Sequence, residues 1–268
     1  MLNDLLRQAR GRIDYLDAVL IMAYVLDRDK TSIMTARDGE TISPEDTGRF
    51  MELVNQRAAH KPLAYILGIC EFMGLDFEVN KHTLIPRPDT ETVVETALDV
   101  IKRKRITTVL DMCTGCGCIA VSLSVLCPVK LDITASDISR GALETARRNA
   151  SRHGAPITFI QSDMFCRIDP SAYELLTANP PYIPDGEIDA LPRSVNGYEP
   201  RGALAGGPDG LSFYRIIAEN AANYVILEIG YNQAEAVRNI LEQHRFKDIV
   251  IIKDLSGRDR VAAAHRNG

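Results

Sequence analysis

No apolar run in this sequence is long enough to cross a bilayer. The longest, Ala18 to Leu26, is nine residues, against the roughly 20 that a spanning helix needs. The first twelve residues mix charge with leucine and lack the apolar stretch of a signal peptide. Positive charge is not in excess: 31 basic against 36 acidic residues leave a formal net charge of −5. That balance argues against a chain living on nucleic-acid phosphates, although one concentrated basic face is still allowed. Internal repeats and low-complexity tracts are missing too. The six cysteines are not spread as a disulfide framework, since Cys113, Cys116 and Cys118 crowd together. These absences lead to the expectation of a cytoplasmic protein with no membrane partner. What is present, 46% hydrophobic and 25% charged residues over 268 positions, fits a globular chain with one large domain and a small appendage.

The beginning of the chain reads as helical. Val19, Leu20, Ala23 and Leu26 fall on one helical face. Ser43 and Pro44 form an N-cap followed by proline at the first helical position. Phe50, Leu53, Val54 and Ala58 then repeat at helical spacing, and Pro62 is expected to close the segment. This part is not a basic arm, and two readings stand beside each other: a plain small helical domain, or a module that docks a partner. The expected division is a helical domain over residues 1–70, a hairpin linker over 71–87 turning at Met73-Gly74, and a second domain over 88–268. Leu84 to Glu91 is a proline-locked entry into a helix running to about Lys104.

Beyond Arg105 strands and helices alternate. Strands are expected at Val109–Asp111, Leu131–Asp137, Ile157–Asp163, Leu175–Asn179 and Tyr224–Ile229, with helices at Arg140–His153, Ser212–Ala222 and Gln233–His244. Such alternation predicts an α/β fold, a doubly wound and largely parallel sheet. Ile249–Lys253 and Arg260–His265, joined by a short turn, should close it as an antiparallel pair.

Asp111-Met112-Cys113-Thr114-Gly115-Cys116-Gly117 follows the first of these strands and opens a helix. Glycines there permit the sharp turn and close ligand approach of nucleotide-binding βα loops. Asp137, 20 residues after Gly117, ends the next strand, where a carboxylate can accept from both ribose hydroxyls. Asp163 ends the third and can reach an adenine amino group. Each acid alone could be a helix cap; in series they favour a nucleoside-like cofactor. A rival reading takes Cys113 and Cys116 as a redox pair, or the three clustered cysteines as part of a metal site. No second cysteine pair or nearby histidine completes four ligands, so no metal is expected.

Asn179-Pro180-Pro181-Tyr182 follows the fourth strand. The prolines stiffen the chain, so the Asn179 side-chain oxygen and the Pro180 carbonyl can together accept the two hydrogens of a planar NH2 group. Tyr182 offers a flat face to a planar substrate. That pattern suits methylation of an amide or exocyclic amine nitrogen; its bland alternative is a rigid turn.

With these residues the chain resembles the HemK/PrmC family, the release factor glutamine methyltransferases. The likeness takes in Gly68, Glu71-Phe72, Ile85 to Glu91, the glycine loop, Asn179 to Tyr182, Tyr198-Glu199-Pro200, Gly206 to Leu211 and Tyr214-Arg215. The Asn-Pro-Pro-Tyr element is shared by many amino-group methyltransferases, whereas its combination with Arg87 to Glu91 and Gly206 to Leu211 is specific. The resemblance implies a helical N-terminal domain and a seven-stranded S-adenosylmethionine-dependent methyltransferase domain. It implies methylation of the glutamine side-chain amide in the Gly-Gly-Gln motif of class I peptide-chain release factors, with no stable nucleic-acid partner. By carry-over, Cys113, Thr114, Gly115, Cys116, Gly117, Asp137, Met164 and Asn179 would bind the cofactor, and Asp111 and Asp163 are added to that set by their places at the strand ends. Asn179, Pro180, Pro181 and Tyr182 would hold the glutamine, the first two and Tyr182 as the catalytic group, and Glu199 and Pro200 would shape the entrance. One departure stands out: Cys113 replaces the family's usual glycine, which is expected to crowd the cofactor or force a negative φ. The alternatives are an amino-group methyltransferase acting on RNA or DNA bases, and a non-catalytic binding module.

Overall fold

The computed structural model describes every residue except Asp38, Ala222, Asn267 and Gly268. Its contacts divide the chain into two units: Met1–Ile69 with Pro192–Tyr198, and Cys70–Leu191 with the chain from Glu199 onward.

The first unit is helical: α1 (Leu2–Arg10), α2 (Tyr15–Leu26), α3 (Lys30–Met34), α4 (Pro44–Ala58) and α5 (Leu63–Leu67). Ser43 caps α4 as its sequence predicts, its hydroxyl accepting from the Asp46 amide at 3.0 Å, with Pro44 at the first position. Pro62 does not end α4, which stops at Ala58. It stands instead at the cap of α5, because its fixed φ of −55° suits the entry to a helix. Leu6, Val19, Met22, Ile33, Phe50 and Val54 are buried at the centre of this unit. Asp17 and Arg57 pair across α2 and α4 at 2.6 Å.

The second unit begins in the hairpin of β1 (Ile69–Phe72) and β2 (Leu75–Glu78). Met73 and Gly74 turn it with φ of +54° and +72°, the positive pair that a two-residue hairpin requires. Next come α6 (Glu91–Lys104), β3 (Thr108–Met112), α7 (Cys118–Leu126), β4 (Asp132–Asp137), α8 (Arg140–Arg152), β5 (Ile157–Gln161) and β6 (Leu175–Ala178). A short α9 (Arg193–Asn196) lies in the segment that groups with the first unit. The chain then forms α10 (Ser212–Asn220), β7 (Tyr224–Glu228), α11 (Ala234–Gln243), β8 (Phe246–Lys253) and β9 (Asp259–Arg266). The sequence places the end of α10 at Ala222, which lies outside the described residues.

Among the described residues, seven strands form one sheet in the order β5-β4-β3-β6-β7-β9-β8. All pairings from β5 to β7 are parallel, and β9 runs antiparallel to both β7 and β8. The expected α/β doubly wound sheet with an antiparallel closing pair is therefore what forms. The central strands β3, β6 and β7 are buried along nearly their whole length and mostly apolar, as expected where helices cover both faces, with Asp111, Thr177 and Glu228 as the buried polar exceptions. Leu110, Leu176, Val225, Leu227, Ile217 and Tyr214 are all buried in the core between them. Fully burying one Leu- or Ile-sized side chain contributes about 1.5–3 kcal/mol. The order reverses between β3 and β6, and ligands in such sheets bind at that switch, beyond the strands' carboxyl ends.

Candidate active site

The β3–α7 loop is built around Asp111. Register sets Asp111 opposite Thr177 of β6, and the Thr177 hydroxyl donates to its Oδ1 at 2.9 Å. Thr114 donates to Oδ2 at 2.5 Å. Burial pushes this carboxyl up to about 7, against the lowering effect of both hydroxyls. The backbone then turns through three positive φ values: Cys113 at +59°, Gly115 at +56° and Gly117 at +84°. The expectation that a side chain at position 113 forces a negative φ is wrong; the loop holds Cys113 left-handed. At Gly117 the reason for glycine is packing, since a Cβ would stand 3.1 Å from that of Ala146. Asn149, fully buried on α8, donates to the Cys116 carbonyl at 2.9 Å and also grips both backbone groups of Glu78.

Asp137, the last residue of β4, takes the Gly115 amide on Oδ2 at 2.9 Å and the Ser139 amide on Oδ1 at 2.8 Å. Burial raises its carboxyl, while those amides work the other way. Each oxygen keeps a second lone pair for a ligand hydroxyl. Asp163 does not end β5 as expected. The strand closes at Gln161, and Asp163 sits in the following loop with Met164 at φ +44°.

Asn179 to Tyr182 form a corner after β6. Asn179 Nδ2 donates to Thr90 Oγ1 at 3.3 Å, which leaves Oδ1 as the acceptor on the opposite side of the amide. The Tyr182 carbonyl accepts from Gln233 Nε2 at 2.9 Å, and its hydroxyl donates to Glu228 Oε1 at 3.3 Å. Gly206 to Leu211 buttress the corner from behind. The Gly206 amide donates to the Ile183 carbonyl at 2.8 Å, and a Cβ on Gly206 would meet the Tyr182 Cα at 2.7 Å. Gly210, at φ +74°, leaves no room for a Cβ against the Tyr182 carbonyl. Glu199, with its carboxylate buried, pairs with Arg87 and accepts from the Ile85 amide.

A cavity of about 410 Å³ opens between loop and corner. Of the residues the sequence singles out, Cys113, Thr114, Gly115, Cys116, Asp137, Asp163, Met164, Asn179, Pro181 and Pro200 line it. Asp111, Gly117, Pro180, Tyr182 and Glu199 are absent from its walls. Asp111 lies sealed beneath the loop, and Tyr182 and Glu199 spend their polar atoms on Glu228 and Arg87. Other walls were not foreseen: Lys81, His82, Leu84 and Pro86 precede α6, and Ile138 and Phe213 add apolar surface. Two carboxylates, an apolar slot and backbone close at hand make a donor set that fits an adenosyl group. Among the described residues no cluster of three or more His, Cys, Asp and Glu is arranged to hold a metal.

Residues 2–68 match the PrmC N-terminal domain and residues 91–191 the Methyltransferase small domain. The release factor glutamine methyltransferase of Geobacter sulfurreducens is 39% identical, the match covering 92% of this chain and 87% of that one. The enzyme of the same name from Moorella thermoacetica is 38% identical over 97% and 95%. This chain belongs to the release factor glutamine methyltransferase family. Its fold is that of solved methyltransferases as well. The hMettl16 catalytic domain bound to a MAT2A 3′UTR hairpin aligns with a TM-score of 0.59 at 14% identity, covering 92% of each chain. A Pyrococcus furiosus methyltransferase aligns at 0.51 and 16%, over 82% of this chain and 98% of that one.

Within this family member, sequence reasoning gave no separate role to Thr90, which lines the cavity, and missed the polar groups behind the corner: Glu228, Gln233 and Arg260. Glu228 did carry a signal, as an acid closing the otherwise apolar strand Tyr224-Val225-Ile226-Leu227.

Proposed function

We propose that this chain transfers a methyl group from S-adenosylmethionine to the side-chain amide nitrogen of the glutamine in the Gly-Gly-Gln motif of class I peptide-chain release factors. The observation that carries the reading is Asn179. It lines the cavity, its NH2 is engaged by Thr90, and its oxygen is free to accept from an incoming NH2.

When bound, S-adenosylmethionine supplies a methyl group on a sulfonium, an electrophile that needs no further activation. Asp137 and Asp163 offer acceptors for ribose hydroxyls and the adenine amine at one end of the cavity. Met164, Ile138 and Phe213 give apolar walls that exclude water. At the other end Asn179 Oδ1 accepts one hydrogen of the glutamine NH2, and the other falls to the carbonyl of Pro180, which lies between the wall residues Asn179 and Pro181. Fixing that plane aims the nitrogen at the donor, and alignment alone can supply a large share of the rate. An amide nitrogen is a poor nucleophile because its lone pair is delocalised. The two acceptors bind it more tightly as positive charge develops, which lowers the barrier rather than only aiding binding. The proton leaves to water after transfer.

Mass spectrometry of a release factor incubated with the protein and cofactor tests the reading. One added methyl group is expected on the glutamine of the motif, and none when that glutamine is replaced by glutamate, which has no NH2. Equal labelling of the glutamate variant overturns it. An RNA or DNA base as acceptor has no independent support here, because the likeness to hMettl16 speaks to the fold alone. A nucleic-acid acceptor in the same assay checks it directly, and labelling of no acceptor at all would favour a binding module.

A further inference from the structure

Two loops at the carboxyl end of the sheet carry exposed side chains that the proposed chemistry does not use. The first follows β7 and presents Tyr231, 62% exposed. The second joins β8 to β9 and presents Leu255, fully exposed, together with the exposed Arg258. Register puts the loops side by side: β9 runs antiparallel to β7 with Val261 opposite Glu228, so the hairpin before β9 emerges where β7 ends. The Ile229 amide donates to the Arg260 carbonyl at 2.8 Å and joins them directly. The Arg258 guanidinium lies over the Tyr231 ring, 5.7 Å from its centroid.

Buried side chains fix both loops. Asp254 Oδ1 accepts the Ser256 and Arg258 amides at 2.9 and 3.0 Å, and its Oδ2 accepts from Arg260 Nε and Nη2 at 3.2 Å each. Gln233 holds the other loop: its Oε1 accepts from the Gly230 amide and its Nε2 donates to the Tyr182 carbonyl, both at 2.9 Å. The Tyr231 loop is thereby tied to the acceptor corner. Arg260 ties the hairpin to Asp89 at 3.2 Å, next to the cavity wall Thr90. One exposed leucine is ordinary. Beside it, though, stand a tyrosine and an arginine, the residue types that anchor protein interfaces, and loops already fixed cost little to order on binding.

The acceptor gives such a surface its use. A Gly-Gly-Gln segment has one side chain, which enters the cavity, so the segment alone buries far less than the roughly 1,000 Å² of a specific protein–protein interface. The rest has to come from the acceptor's body meeting the enzyme beside the corner. We propose that Tyr231, Leu255 and Arg258 form a docking surface for the body of the acceptor release factor, where they meet an apolar patch bordered by a carboxylate. This rests on the proposed transfer to the glutamine amide. A protein fits this surface better than a nucleic acid does. Leu255 has neither a ring to stack on a base nor a charge for a phosphate, and the chain's net charge is −5.

Methylation of an intact release factor by the full-length protein tests the surface. The double variant Tyr231→Ser, Leu255→Ser should raise KM for the factor about tenfold and leave kcat within about twofold, the pattern of lost ground-state binding. Arg258→Glu should by itself raise KM about fivefold, by setting like charge against the acceptor's carboxylate. The Kd for S-adenosylmethionine, read by calorimetry, and the melting temperature should stay at the parent values, since none of the three lines the cavity or is buried. An active parent with KM unmoved in both variants overturns the docking surface alone, as does a fall in kcat without a rise in KM. A parent dimer that the double variant dissolves at unchanged KM assigns the surface to a second copy and overturns the proposal. Loss of RNA binding in Arg258→Glu at unchanged KM assigns it to nucleic acid, with the same result. If the parent itself leaves the factor unmodified, the proposed reaction fails first and the docking surface falls with it.

Discussion

Strands β3 and β7 flank β6, and each brings a buried carboxyl to the same end of the sheet. Asp111 and Glu228 are both pushed up to about 7, in each case chiefly by burial. Their surroundings differ. Both oxygens of Asp111 accept a threonine hydroxyl, and the result is a fixed turn beneath the cofactor loop. Glu228 accepts the Tyr182 hydroxyl of the acceptor corner on Oε1 and keeps Oε2 without a partner. Burial alone thus does not tell the two carboxyls apart; the completeness of the partner set does. A satisfied buried acid fixes a backbone, and an unsatisfied one marks a place where the fold has accepted a cost for geometry.

The largest effect expected from this contrast is on stability against pH. A carboxyl whose folded pKa is raised holds its proton in the native state after the unfolded chain has released it. Stability therefore falls as pH rises from the unfolded value to the folded one, and is flat above it. For Asp111 the window runs from 3.8 to about 7, for Glu228 from 4.5 to about 7. The swing is about 4 kcal/mol for the first and about 3 kcal/mol for the second. Asp111→Asn and Glu228→Gln should each remove one share, so that variant and parent differ most in their relative stability between pH 4 and pH 8. Urea denaturation across that range checks it, and a pH-independent difference for either variant would show that its carboxyl titrates normally.

Catalysis should respond at the Asn179–Tyr182 corner and not at Asp111. Asn179→Ala removes an acceptor that strengthens in the transition state, so kcat should fall about 100-fold, near 2.7 kcal/mol, with cofactor affinity little changed. An equal loss in cofactor affinity would mean that Asn179 serves binding alone. Asp137 extends the comparison to an acid that does reach the cavity. Asp137→Ala should weaken S-adenosylmethionine binding by about 1.5–3 kcal/mol, the worth of hydrogen bonds to a charged acceptor. Asp111→Asn should change the same titration far less, and an equal loss would return Asp111 to the cofactor's own contacts.

How much of this was legible in the sequence depended on distance along the chain. Strand and helix alternation, the Ser43 cap and the Met73-Gly74 turn are local, and their residues carry the signal by themselves. The cavity acids Asp137 and Asp163 could be found because each follows a strand. Asp111 was expected among the cofactor contacts for the same reason, yet it does not line the cavity: sequence puts it near the strand's end but cannot show that Thr114 and Thr177 close over it. The Thr90–Asn179 and Tyr182–Glu228 contacts join residues far apart in the chain, which only the folded sheet brings together. Nor do glycines 206 and 210 reveal in sequence that they make room for Tyr182.

The smallest effect expected concerns Cys113, where sequence and structure part most sharply. Its φ of +59° puts a side-chain-bearing residue in the left-handed region, at a cost of about 1–2 kcal/mol relative to ordinary backbone. Glycine removes that strain but gives the unfolded chain more freedom to lose, which offsets about 0.5–1 kcal/mol. Cys113→Gly should therefore gain between about 0 and 1.5 kcal/mol of stability. The thiol lines the cavity, and burial raises its pKa well above the ordinary range, so it is neutral and contributes no charge to the cofactor. Affinity for S-adenosylmethionine should be unchanged or slightly tighter in the variant. A marked loss would mean that the Cys113 side chain makes a contact the cofactor needs, and that its left-handed backbone is held for function rather than tolerated. Measuring melting and cofactor titration together separates the two, since relief of backbone strain moves the first and a lost contact moves the second.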